Sequence, residues 1–294
     1  MTTRPTDQPV AVDEPELAPV RPSPRGRRAR RRARGVDPIP WWLRAIALLV
    51  GLFFILPTVI VIPMSFSDSA TFKFPPEGFS LHLYENFFSD PAWLTSLRNS
   101  VLVATLAAVI ATVVGTAAAI GLHLLRGRAA TVARTVLMVP IVAPGIVVAV
   151  AVYISFLRWH LVGTLGGYVL AHSAIAIPFV LVSVTSALSS FDSKLLRASA
   201  SLGATPWHTF TRVTMPLVSR GIITGAVFAF VTSFDEVVIA LFLRSPTFQT
   251  LPVKMYNSVT VEVDPTIAAS SSLVVTVVTV LCLLPQLAGR RTSR

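Results

Sequence analysis

Five long runs of this chain contain no Asp, Glu, Lys or Arg: residues 45–67, 99–125, 135–157, 161–191 and 265–289. Each exceeds the roughly 20 residues a helix needs to cross a hydrocarbon layer of about 30 Å. Residues 221–243 make a sixth run, broken only by Asp235 and Glu236 inside SFDEVVIALFL. A soluble protein buries one or two such segments, not six. Only 13% of residues are charged, against about 25% in soluble domains. The sequence therefore predicts an all-α integral membrane protein with six transmembrane helices.

Basic residues set the expected orientation. Arg and Lys concentrate in residues 1–44, in the loop after the second span, in residues 192–220 and at the C-terminus, which together hold 20 of the 25. The rest are Lys73, Arg98, Arg158, Arg244 and Lys254. By the positive-inside bias, both termini face the cytoplasm. Residues 1–40 form a Pro- and Arg-rich tail with no apolar period, expected to be disordered. Its RGRRARRRAR block reads as a headgroup-binding segment beside the interfacial Trp41 and Trp42, in preference to a nucleic-acid arm. The first apolar run is too long for a signal h-region and no A-x-A site follows it. The domain organisation is then a tail, 1–40, and a six-span membrane body, 41–294.

Enzyme signatures do not occur. A single Cys282 excludes an internal disulfide and a Cys-based metal site, and the five histidines have no metal-ligand spacing. There is no G-x-S-x-G elbow and no G-x-x-x-x-G-K-[ST] phosphate loop. No cofactor or metal is expected on this chain, and a pump built on it must draw energy from a partner.

The loop between spans 4 and 5, FDSKLLRASASLGATPWHTFTRVTMPLVSRGI, has the chemistry of helix, turn, helix. Ser193 can cap a first helix, Gly203 can close it at positive φ, and Thr205 can cap a second with Pro206 at its first position. Trp207, Phe210 and Val213 share a face, and Pro216 is expected to start the next segment. The loop reads either as a docking element or as an amphipathic connector lying on the membrane.

This loop resembles the EAA motif of ATP-binding-cassette importer permeases, E-A-A-x-x-x-G followed by I-x-L-P. The matching residues are Arg197-Ala198-Ser199, Gly203 and Val213-Thr214-Met215-Pro216. FPPEGFSLHLYENFF, PIVAPGIVVAVA, HSAIAIPFVLV, SFDEVVIALFL and TLPVKMYNSV are similar to the spermidine/putrescine branch, in its C-type permease. The resemblance implies a multi-pass permease of the bacterial inner membrane that moves a small cationic amine. Its partners would be a second, paralogous permease, an extracytoplasmic binding protein and two cytosolic ATPase subunits, which would bind the ATP and Mg²⁺; no nucleic acid is implied. Relatives of this branch are also associated with γ-aminobutyrate, opine-like compounds and aminophosphonates. Arg197, Ala198, Ser199, Gly203, Ala204, Pro206 and Pro216 would shape the ATPase-docking element, with Arg197 inverting the family's Glu charge. A stand-alone proton-coupled secondary transporter is the reading from another class. The absence of an evident inverted repeat speaks against it.

A carboxylate at the bilayer centre costs about 2.5–3.5 kcal/mol even on insertion scales. If the fifth helix continues through SFDE, stepping back from Glu236 by helical spacing gives Thr232, Ala229 and Gly225, a stripe of small residues. Both acids are then expected to face the bundle interior together. With Ser233, Thr232, Asp235 and Glu236, and Tyr84 from an outer loop, this forms a candidate substrate pathway; the competing role for the acids is helix packing. Pro140, Pro144 and Pro178 are candidate gates or static bends. His172 is read as a hydrogen-bonding packing residue.

Overall fold

In the computed structural model the described residues are 40–290, apart from 70, 72, 126 and 190–193. The basic tail and the proposed cap Ser193 lie outside the described residues. The chain divides into two compact units, Met1–Ile55 and Leu56–Arg294. Helix α1, Trp41–Met64, is apolar around its whole circumference and none of its residues is buried.

The second unit holds the remaining helices. Among the described residues the one β pairing is an isolated bridge between Ser67 and Phe79. A short helix, α2 (His82–Ser89), packs Leu83 and Phe87 inward. Helix α3, Pro91–Leu124, is capped by Asp90, whose side chain accepts from the Ala92 N–H at 2.7 Å. Its 34 residues make a rod of about 51 Å, longer than a hydrocarbon layer.

The third apolar run is two helices, α4 (Arg128–Val142) and α5 (Gly145–Arg158), bent by 101°. The expected single helix fails at Pro144. That proline has no N–H for the Pro140 carbonyl, and Ala143 before it is extended at φ −69, ψ 138. Pro140 lies inside α4 and Pro178 inside α6, Leu165–Ser189, and both helices run on through them. Among the described residues, five helices are long and apolar enough to cross a membrane, and six spans result if the bent pair is one.

Helix α7, Lys194–Ser201, ends in a Schellman motif: Gly203 sits at φ 77, its N–H bonds the Ala200 carbonyl, and the Ala204 N–H reaches Ser199. Helix α8 then runs from Pro206 to Phe234, with Thr205 capping it through the His208 N–H. Pro216 does not start a separate segment. A π turn over Phe210–Thr214 lets the Met215 N–H bond Phe210, and the helix passes Pro216 unbroken. Three helices complete the fold: α9 (Val238–Leu243), α10 (Leu251–Thr260) and α11 (Thr266–Arg290).

The core lies where α3, α6 and α8 meet. Ala108, Ala111, Val180, Leu181, Val184, Val218 and Ala229 fill it. Glycines set the approach: a Cβ on Gly115 would lie 2.8 Å from Val180 Cβ, and one on Gly225 would lie 3.0 Å from Val180 Cα. Small residues of this kind are how helices pack closely where lipid offers no hydrophobic drive.

Candidate functional site

Helix α8 stops at Phe234, with Asp235 as its C-cap. SFDE therefore lies at a helix break instead of on a continuous face. Nothing in the local backbone forces this, since residues 217–245 contain no proline. Side chains hold the break instead. The Glu236 carboxylate accepts from the Ile239 and Ala240 N–H groups at 2.9 and 3.0 Å, capping α9.

Helix α6 braces both sides. Its fully buried His172 places Nδ1 3.0 Å from the Ser233 carbonyl and 2.9 Å from Ser233 Oγ. A carbonyl only accepts, so hydrogen-bond geometry assigns the proton to Nδ1. Nε2 has no hydrogen-bond partner among the described residues and lies 3.8 Å from Glu236 Oε2. One turn away on α6, the Tyr168 hydroxyl donates to the Ala240 carbonyl at 3.0 Å. In this way two backbone carbonyls flanking the break are satisfied inside an apolar interior, where an unmade bond is costly.

The two acids separate. Glu236 and Thr232 line a cavity of about 310 Å³ at the α4–α5 break, with Pro140, Ile175, Phe179 and Ile239. Asp235 lines a different cavity of about 410 Å³ between α8, α10 and α11, beside Leu251, Met255 and Tyr256. The expectation that both face one interior path is corrected: a helix that ends at Phe234 no longer imposes its period on the residues after it. The Tyr84 hydroxyl bonds Ser65 at 2.8 Å and Ser272 at 3.2 Å, and Tyr84 lines neither acid's cavity.

A second polar group sits around Trp93. Its indole N–H donates to Asp264 at 3.2 Å, and the buried Lys254 ammonium lies 5.4 Å from its ring and 2.7 Å from Glu262. The sequence did not single these residues out as a group; their pairing spans up to 171 positions. Among the described residues no group of His, Cys, Asp and Glu could hold a metal ion.

In the 194–216 stretch, Arg197, Ala198 and Leu202 are exposed, and so is Trp207. Ser199 Oγ lies 3.0 Å from Thr209 Oγ1, tying α7 to α8. Ala204 and Pro206 line a cavity of about 330 Å³ with Ile120, Leu188 and Phe210.

Residues 111–293 match the family described as binding-protein-dependent transport system inner membrane component. The chain belongs to this family. Like it, the spermidine/putrescine transport system permease protein PotC of Escherichia coli (strain K12) is 29% identical over 235 residues, covering 80% of this chain and 89% of that protein. The putrescine transport system permease protein PotI of the same strain is 29% identical over 242 residues, 80% of this chain and 85% of that one. Solved structures share the fold of this inner membrane component. A bacterial ABC transporter involved in import of the acidic polysaccharide alginate aligns with TM-score 0.67 at 16% identity, covering 86% of this chain and 96% of its own. The MetNI methionine ABC transporter aligns at TM-score 0.57 and 18% identity, covering 69% and 97%. The permease family thus accounts for the all-helical fold and the membrane location.

Proposed function

We propose that this permease conducts a small cationic amine, of the spermidine or putrescine type, for an ATP-driven importer. The observation that carries the substrate class is the cavity at the α4–α5 break, whose one ionisable lining group among the described residues is the Glu236 carboxylate. The names of the relatives PotC and PotI point the same way. Glu236 and Thr232 form the path wall. Ser233 contributes indirectly, as the anchor that His172 grips.

The chain binds no cofactor in this reading; two cytosolic ATPase subunits hold ATP and Mg²⁺. A second permease completes the membrane part, an extracytoplasmic binding protein delivers the amine, and both termini are cytoplasmic. The α7–α8 corner is the ATPase dock. Arg197, Ala198 and Ser199 form its first helix, Gly203 and Ala204 its turn, and Pro206 through Pro216 its second. The exposed Leu202 and Trp207 are its knobs. The Pro144 break is the moving element of the gate, with Pro140 and Pro178 as bends within intact helices.

The test is reconstitution of the chain with the second permease, ATPase and binding protein in proteoliposomes. ATP-dependent uptake of spermidine or putrescine is expected. Uptake of γ-aminobutyrate with no polyamine uptake would overturn the amine assignment. Uptake without the ATPase would make the chain a secondary transporter. Gly203→Val, which puts a β-branched residue at φ 77, should cut binding-protein-stimulated ATP hydrolysis several-fold at normal membrane yield. Full stimulation would remove the docking assignment.

A further inference from the structure

Between Asp90 and Asp235 the chain has a single acid, Asp192, which lies outside the described residues. The α7–α8 corner falls within that stretch. Among its described residues Arg197 and Arg212 are exposed, and no carboxylate accompanies them. The end of α3, which borders the corner through Ile120, His123 and Leu124, supplies no acid either. Arg197 enters no ion pair among the described residues. An exposed guanidinium on a surface without carboxylates attracts an anionic partner.

The same corner holds out two apolar side chains. Leu202 is 87% exposed and Trp207 73%. Leu202 stands at the Gly203 turn, and Trp207 leans on Phe210, their ring centroids 5.7 Å apart. Large apolar groups presented beside charge mark a surface that something covers. Lipid is too far away. Trp207 lies fourteen residues before Gly221, where the charge-free run toward Phe234 begins. At 1.5 Å per residue that is about 21 Å, and still about 16 Å at a tilt of about 40°. A headgroup layer is only about 5–8 Å thick. The corner stands clear of the membrane, so a protein fits over it and a bilayer does not.

We infer that the corner recognises its ATPase by charge as well as by shape: Leu202 and Trp207 enter an apolar pocket, and Arg197 pairs with an Asp or Glu on the rim of that pocket. A planar guanidinium meets a carboxylate through two parallel hydrogen bonds, which fix orientation as well as attraction. Trp and Arg are also the side chains on which protein interfaces concentrate their binding energy. An ATPase with a basic rim at this point is refused, because like charges brought together are costly. The inference rests on the docking reading of the corner and adds the sign of the receiving surface.

The experiment titrates the purified ATPase subunit onto proteoliposomes holding this chain and the second permease, and reads the dissociation constant. Arg197→Glu should weaken binding at least about tenfold, Arg197→Gln at least about threefold, and Arg197→Lys less than Arg197→Gln. Wild-type binding should weaken between about 50 and 300 mM salt, and Arg197→Gln should flatten that dependence. A photo-crosslinker on Arg197→Cys, in a Cys282→Ser background, should attach to the ATPase at or beside an Asp or Glu. Reversing that acid to Lys should restore Arg197→Glu to within about threefold of wild type. Wild-type affinity in Arg197→Glu, or attachment beside a basic residue, would overturn the charge recognition and leave the dock. If Arg197→Glu does not assemble, the salt series decides: equal slopes for wild type and Arg197→Gln overturn the inference. A fluorescent label on Leu202→Cys quenched by brominated lipid would seat the corner on the membrane and overturn it too. Wild-type affinity in both Leu202→Asp and Trp207→Ala would instead strike the docking reading itself.

Discussion

The two helix breaks in this protein are made by opposite means. Between α4 and α5 the backbone makes the break: Pro144 withholds an N–H, Ala143 is forced extended, and no side chain caps the start of α5. Between α8 and α9 no proline intervenes. The chain there is opened and held by Glu236 on the Ile239 and Ala240 N–H groups, and by His172 and Tyr168 on the Ser233 and Ala240 carbonyls. The first break is intrinsic to its own few residues. The second exists only while α6 stays in place, so its geometry is conditional on packing.

The largest effect expected from this contrast comes from restoring the missing donor. Pro144→Ala removes a residue that is about 3 kcal/mol worse than alanine in a helix interior. The bend should open toward a continuous helix, and spin labels at Val136 and Ile154 should separate toward the roughly 27 Å of an unbroken rod. An unchanged label distance would show that packing, not the proline, sets this break as well.

Next in size is His172→Leu, which keeps the volume but strands the Ser233 carbonyl in an apolar interior. A cost of roughly 1–3 kcal/mol is expected, read as a lower thermal midpoint and lower yield of the purified protein. A midpoint equal to wild type would mean the α8–α9 break closes itself without α6. The smallest effect is that of Tyr168→Phe, which deletes one hydroxyl and should cost about 0.5–1.5 kcal/mol. In the double variant with His172→Leu the loss should fall short of the sum of the two if the side chains act as one brace, since losing either already loosens it; strict additivity would separate them.

The membrane spans were legible because lipid demands runs free of charge, and such runs survive in any context. Helix ends were less so. Residues 217–245 offer no proline, and Gly221 and Gly225 are packing residues instead of stops; the end at Phe234 is held by His172, sixty-one positions from Ser233. The same cause hid the divergence of the two acids, which a continuous helix would have kept on neighbouring faces. Pro144 announced a kink in the sequence. Its 101° angle depends on what α5 packs against, and no local pattern carries that. Pro216 misled in the other direction, because a π turn upstream absorbs the missing donor before the helix has to yield. Tyr168 and His172 stand at i and i+4, so their common face was readable, but not that it grips the far side of SFDE.

The unbroken course of α8 makes it a mechanical strut. Its 29 residues span about 43 Å at 1.5 Å per residue, with the α7–α8 corner at one end and Ser233 at the other. A stroke applied at Thr205 has no loop in which to dissipate and reaches the Ser233 carbonyl that His172 grips. The only compliant joint along the strut is the wide turn at Phe210–Thr214. Stiffening or loosening that joint would change how much of the stroke arrives beside Glu236 without touching either end.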